Sequence, residues 1–328
     1  MLNLDDIRQP VRDAFEQYEK AFAQTMQSDH PLLNEVLDYI RAKAGKQLRP
    51  LIVLLSAAIS RGVTDKTILA AVALELLHNA SLVHDDVVDS SPTRRGAKSV
   101  HAKWNNKVAV LVGDYMLAKV IGITAEIRNT PILNIVAKLG RDLSSGEIMQ
   151  LHANSSMWID EKQYFQIIDQ KTAQLFAACA EAGAESCLAT MRQTTALREF
   201  GRELGICFQL KDDIFDYSDA EELGKPTMSD IRDGKATLPL IVSLQRAPQP
   251  ESDHIRQLAE DLVNGLVEAS DAEQEIKSFV LRYEGVRYAT ARMHEHKKSA
   301  VEALSVFRDS LTKKALLSLL EYAVNRNH

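Results

Sequence analysis

Apolar residues recur at spacings of three and four along almost the whole chain, and alternation with a period of two is scarce. Ala, Leu, Glu, Lys and Gln dominate these segments, which favours helix on intrinsic grounds as well. Only 14 Gly and 9 Pro are spread over 328 residues, too few for the tight turns of a sandwich or barrel. The pattern predicts an all-α fold with helices over 5–27, 31–44, 48–60, 65–89, 105–128, 131–153, 161–184 and 191–217, and five more between 236 and 326. Thr64 precedes the apolar run 68–83 as a helix cap, and Asp160 with Gln163 forms a capping-box pair. No Gly/Ser-rich or Pro-rich linker divides the chain, so residues 1–328 are expected to form a single domain of roughly a dozen helices.

Acidic residues number 45 and basic residues 39, a net charge of −6, so no basic excess is available to neutralise nucleic-acid phosphates. Cys179, Cys187 and Cys207 form no Cys-x-x-Cys pair and sit among helix-forming neighbours, as buried reduced thiols do. The first residues lack a basic region leading into an apolar core, and the apolar run 69–83 is interrupted by Glu75 and His78. These features predict a cytoplasmic protein without a secretory signal or membrane span.

Two segments share the pattern Asp-Asp-x-x-Asp: Asp85-Asp86-Val87-Val88-Asp89 and Asp212-Asp213-Ile214-Phe215-Asp216. On a helix the first and last Asp of each lie at i and i+4 on one face, where like charges repel by a few tenths of a kcal/mol per pair. Each also falls near a predicted helix C-terminus, where the macrodipole disfavours anions. Divalent cations reverse both penalties, and carboxylate oxygens suit Mg²⁺.

Cations cluster at four other places. Lys46 and Arg49 flank the start of the helix entered at Pro50, Arg94-Arg95-Gly96 comes after the first acidic motif, Lys171-Thr172 interrupts an apolar run, and Lys225 and Lys235 flank the second irregular stretch. Arg offers bidentate contact to phosphate and Lys a point charge. His78 lies seven residues before Asp85 on the same helix face, and Gln209 shares a face with Asp212, Asp213 and Asp216. His294 and His296 point apart at i and i+2, and their segment reads as surface.

Taken together, Gly45-Lys46-x-Leu48-Arg49-Pro50, His84-Asp85-Asp86-x-x-Asp89, Arg94-Arg95-Gly96, Gly113-Asp114, Lys171-Thr172, Gln209-x-x-Asp212-Asp213-x-x-Asp216 and Gly224-Lys225 resemble the trans-polyprenyl diphosphate synthases. The likeness spans residues 40–240 in order, with Gln47 where the family usually carries Arg. It implies the isoprenoid synthase fold, a helical bundle around a central cavity, a homodimer, and Mg²⁺-dependent head-to-tail condensation of isopentenyl diphosphate with an allylic diphosphate. It further implies Mg²⁺ on Asp85, Asp89 and Asp212, with Asp86, Asp213 and Asp216 in support. Isopentenyl diphosphate would be held by Lys46, Arg49, His78 and Arg95, and the allylic diphosphate by Arg94, Lys171, Thr172, Gln209 and Lys225, with Lys235 nearby. Ala80 and Ser81, one turn before Asp85, are small and would let a growing tail pass, which favours a long-chain product. That product would be water-insoluble and would leave through transient membrane contact. Short-chain synthases, terpene cyclases and non-catalytic synthase subunits are the competing readings. The cations at 46, 49 and 95 and the two complete acidic motifs count against the last two.

Overall fold

The computed structural model describes residues 3–43, 45–218 and 227–326. They are almost entirely helical, as the periodicity predicts. Contacts group the chain into two compact units.

The first unit comprises 1–141, 176–201 and 303–319. Its N-terminal half is built from α1 (Leu4–Arg8), α2 (Arg12–Thr25), α3 (Pro31–Ala42), α4 (Leu48–Ser60) and α5 (Asp65–Val88). The single helix expected over 5–27 is broken by a 3₁₀ turn at Gln9–Val11, where Pro10 removes a backbone donor. A two-stranded hairpin, Thr93–Arg94 against Ala97–Lys98, forms in the loop after the first acidic motif. Arg95 and Gly96 make its turn with φ of +51° and +73°. Beyond it lie α6 (Val100–Lys103), α7 (Asn106–Ile127) and α8 (Thr130–Ser156), the last continuing into the second unit's residue range.

Helix α5 is the core of this unit. Thr64 and Thr67 close a reciprocal capping box at its start. From Ala70 to Leu77 every residue is buried, so this stretch of the helix has no solvent face, and the helix packs against α2, α4 and α7. Helix α10 (Gln174–Ser186) joins α4 through Gly183, whose missing Cβ would stand 2.3 Å from the Val53 carbonyl oxygen.

The second unit comprises 142–175, 202–302 and 320–328. It contains α9 (Glu161–Ile168), most of α11 (Met191–Phe215), α12 (Ser229–Arg232), α13 (Leu238–Arg246), α14 (Gln249–Val263), α15 (Ala269–Arg282) and α16 (Gly285–Ala303), with the end of α17 (Leu311–Asn325). The capping box at Asp160 and Gln163 forms as predicted, with bonds of 2.7 and 3.0 Å. The helix expected over 161–184 is interrupted by a π-helical turn at Asp169–Ala173.

Among the described residues two helices are long and apolar enough to cross a membrane, α5 and α7. Burial accounts for α5, whereas α7 leaves Leu111 and Ile121 66% and 69% exposed.

Gly183→Ala should force the α4 backbone to move, because the obstructing atom is a carbonyl oxygen rather than a mobile side-chain tip. The expected cost is about 1–3 kcal/mol. Thermal unfolding monitored by circular dichroism would register it as a Tm lowered by several degrees.

Candidate active site

In the first unit, α5 carries a polar stripe along an otherwise apolar surface. Glu75, His78, Asn79 and Asp86 are all buried and lie at helical spacing. Arg49, on the first turn of α4, lies over the Phe176 ring at 5.4 Å. Burial lowers the pKa of Arg49 and of Arg95, and the charge of Glu75 raises both back. Burial raises the Glu75 carboxyl, against the pull of Arg49 and Arg95 and a hydrogen bond from Asn79. Nε of Arg49 and Oε2 of Glu75 are buried with no protein hydrogen-bond partner, which leaves the Arg49 donor capacity for an anion or water and the Glu75 oxygen capacity for a donor such as water. Burial, reinforced by Arg49, Arg95 and Arg94, holds His78 well below the ordinary histidine pKa. It is therefore neutral at pH 7 and acts as a hydrogen-bond partner rather than a charge.

Arg95 donates from Nη1 to the Lys43 carbonyl at 2.8 Å, and its guanidinium stands 3.0 Å from where a Cβ at position 45 would sit. Gly45 thus lets the Gly45-Lys46-Gln47 turn lie against Arg95, and Gln47 completes that turn with φ +53°. Lys46 is exposed. Tyr39, Lys43, Asn79, Arg94 and Arg95 line a cleft beside Asp86.

The acids of the first motif separate by role. Asp86 is buried and accepts from Nε and Nη2 of Arg94 at 2.8 and 2.5 Å. Asp85 is half-buried and Asp89, the last cap of α5, is exposed. Gly113 makes room for His84, whose Nε2 would stand 2.1 Å from a Cβ there and lies 3.5 Å from Asp114. The Gly113-Asp114 pair therefore seats the residue preceding the motif. Ala80 is fully buried, and the Ser81 hydroxyl donates to the His78 carbonyl at 2.9 Å.

In the second unit the Thr172 hydroxyl donates to Gln209 Oε1 at 2.8 Å, and Gln209 Nε2 donates to Asp213 Oδ1 at 2.8 Å. Tyr164 donates to the other oxygen of Asp213 at 2.5 Å. Lys171 pairs with Glu147 at 2.6 Å. Asp216 accepts from the Ser229 and Asp230 backbone and from the Ser229 hydroxyl, at 2.9 to 3.1 Å, and so caps α12. Asp212, 46% exposed, pairs with Arg326 at 2.7 Å. Arg326 also lies 3.7 Å over the Phe208 ring and donates to the Phe208 carbonyl. Lys235 pairs with Asp233 at 3.1 Å. Lys225 lies outside the described residues.

Of the sequence-predicted residues, the structure gathers His78, Arg49, Arg94 and Arg95 about one stretch of α5, and Thr172, Gln209 and Asp213 into one hydrogen-bonded row. It gives Asp86 and Asp216 protein partners of their own. Three participants escaped sequence reading: Glu75, Tyr164 and Glu147. Glu75 was legible as a charge inside an apolar run, whereas Tyr164 and Glu147 look like ordinary helical residues. His296 is not the surface residue expected, since its Nδ1 meets Glu203 Oε2 at 2.6 Å and its ring lies against Phe165.

Among the described residues no three acidic, histidine or cysteine side chains converge as a metal cage. The donor chemistry still fits Mg²⁺, which binds through one or two carboxylates with water and phosphate completing its shell. Burial, with repulsion from Asp212 and Asp216, pushes the Asp213 carboxyl up to about 7, and burial with Asp213 and Asp216 pushes Asp230 upward. These are acids short of countercharge.

The folded state therefore binds a proton at Asp213 more tightly than the unfolded chain does. Its contribution to stability is complete below the unfolded carboxylate pKa and is lost as pH rises towards about 7. Asp213→Asn should stabilise the metal-free protein relative to the parent at pH 8, with the advantage vanishing near pH 4. Urea denaturation in EDTA across that range measures the difference; an advantage that grew on acidification would contradict the assignment.

The family model described as Polyprenyl synthetase matches residues 30–276. The chain is 33% identical to the octaprenyl diphosphate synthase of Haemophilus influenzae, over 100% of this chain and 98% of that protein. A polyprenyl synthase from Caulobacter crescentus CB15, solved with calcium and isoprenyl diphosphate, superposes with a TM-score of 0.91 at 31% identity, covering 99% of this chain and 98% of the other. The geranylgeranyl pyrophosphate synthase of Bacteroides thetaiotaomicron gives 0.84 at 37% identity, covering 98% and 99%. With that match, that identity and that fold, the chain belongs to the polyprenyl synthetase family and is a prenyltransferase.

Proposed function

We propose that the protein condenses isopentenyl diphosphate head-to-tail with an allylic diphosphate to make a long-chain polyprenyl diphosphate, using Mg²⁺. The observation that carries this reading is on α5. Within three turns the helix bears a neutral histidine beside an arginine cluster and two carboxylates nearer solvent, Asp85 and Asp89. The first arrangement suits a diphosphate, and the second suits a metal-bound one.

Asp85, Asp89 and Asp212 would hold the ions, with Asp86, Asp213 and Asp216 keeping the motifs in place through Arg94, Tyr164 and the α12 cap. Magnesium, when bound, supplies Lewis-acid assistance to the departing diphosphate. Lys46, Arg49 and Arg95 bind the isopentenyl diphosphate, with His78 as a neutral donor. Arg94, Lys171, Thr172, Gln209 and Lys225 orient the allylic diphosphate, and Lys235 adds charge nearby. The allylic C–O bond breaks with its electron pair leaving on the diphosphate, the isopentenyl double bond forms the new C–C bond, and the released diphosphate takes the proton whose loss restores a double bond. The apolar residues around α5 exclude the water that would quench the allylic cation.

Chain length is set along the same helix. Ala80 presents a methyl group where an aromatic ring would block a tail, with Leu77, Leu76 and Leu74 next along the helix. From Asp85 back to Asp65 the helix is about 30 Å long. The Haemophilus relative's name supports a long product, and the Bacteroides protein's supports a geranylgeranyl one. The proposed homodimer has a surface of its own: Leu111, Ala118, Ile121 and Ala125 form an exposed small and apolar stripe on α7. Buried free thiols at Cys179, Cys187 and Cys207 suit a reducing cytoplasm. The insoluble product would leave through transient membrane contact.

Mass spectrometry of products from isopentenyl diphosphate with farnesyl or geranylgeranyl diphosphate tests the reaction. Chains beyond C20 are expected, arrest at C20 would establish the shorter synthase, and no condensation would end the proposal. Ala80→Phe should shorten the product, and an unchanged length would refute the path past Ala80. Leu111→Glu with Ile121→Glu should yield monomers in light scattering if α7 is the dimer face.

A further inference from the structure

The residues that bracket the π-helical turn are not required by the reaction just proposed, yet they join in a continuous network of hydrogen bonds and ion pairs. A π turn inserts one residue into a helix, is rare, and clusters at functional sites. The inserted turn here, Asp169–Ala173, carries Lys171 and Thr172. The backbone N–H of Gln174 bonds the Asp169 carbonyl five residues back, and the Gln174 side chain repeats the span by donating to Asp169 Oδ2 at 2.9 Å. The other oxygen of Asp169 accepts from Arg202 Nε at 2.6 Å. Arg202 Nη1 reaches Glu203 Oε1 at 2.9 Å, and Glu203, almost fully buried, holds His296 of α16 through its second oxygen.

Spacing along α11 gives this network its meaning. Arg202 and Gln209 are seven residues apart, on one face two turns from each other. One bonds the first residue of the π turn and the other bonds Thr172, so a single rigid helix grips the turn at two points. Gly146 admits the opposite side: a Cβ there would lie 3.1 Å from the Lys171 backbone nitrogen. Without the grip, the turn could relax to regular α-helix. That relaxation shifts the helical register by one residue, about 100° of rotation, and Lys171 and Thr172 would lose their present directions.

We propose that Arg202 is a positioning residue for the allylic diphosphate: it clamps Asp169 to the Glu203–His296 pair and so fixes the π-helical register that aims Lys171 and Thr172. The inference rests on the roles given to those two residues above.

The test compares wild type, Arg202→Met, Arg202→Lys and Asp169→Asn in steady-state kinetics with each substrate varied in turn. It adds calorimetric binding of an unreactive allylic thiodiphosphate. Arg202→Met should lower kcat/KM for the allylic diphosphate about 100-fold, the scale of a small misplacement of reacting groups. KM for isopentenyl diphosphate should stay unchanged, thiodiphosphate binding should weaken, and Arg202→Lys should recover part of the loss. In a Thr172→Ala background the Arg202→Met loss should shrink, because the two act as one unit. Should Arg202→Met fail to fold, Asp169→Asn removes the charge and one of the two acceptors without changing the shape of the side chain, and should show the same selective loss in smaller measure. Equal losses for both substrates, full additivity with Thr172→Ala, or an unaffected folded variant would overturn the clamp. A wild type inactive with every allylic diphosphate would instead overturn the reaction on which it rests.

Discussion

Burying a helix on every side leaves its polar residues no access to solvent, and α5 does this while carrying Glu75, His78, Asn79 and Asp86. Each must find its partner inside the protein or cost several kcal/mol. Asp86 meets Arg94 from the hairpin after the helix, Asn79 bonds Glu75 one turn back on α5, and Arg49 and Arg95 set positive charge against Glu75. The cation-lined cleft is thus not appended to the fold. It is the compensation that makes α5 tolerable as a core helix, and it leaves Arg49 Nε with bonding capacity for an incoming anion.

The two acidic motifs share a sequence pattern but not an electrostatic state. In the first, the buried Asp86 has Arg94 to itself, and Asp85 and Asp89 lie nearer solvent. In the second, Asp213, Asp216 and Asp230 crowd together, and Asp213 rises towards neutrality for want of countercharge. Arg326 meets Asp212, one residue away, rather than Asp213. The second motif therefore has more to gain from an added cation than the first.

Much of this was legible in the sequence, and the exceptions share a cause. Helical periodicity, the caps at Thr64 and Asp160 and both Asp-Asp-x-x-Asp patterns are local, and local signals survive folding. The π turn was not legible, because Asp169–Ala173 has ordinary helix-forming composition and its register is set by Arg202 and Gln209, more than thirty residues away. His296 read as surface because nothing near it in sequence announces Glu203. The bonds from the Ser229 and Asp230 amides to Asp216 were not legible either, because the partners stand 13 and 14 residues away in sequence.

That cap at Asp216 has a further consequence. The Met228 amide also donates to the Asp216 carbonyl at 3.0 Å, so the excursion after α11 leaves from and returns to a single residue. Asp216 thus ties the end of α11 to the start of α12 through its side chain and its main chain together, and its loss would release both helix ends at once.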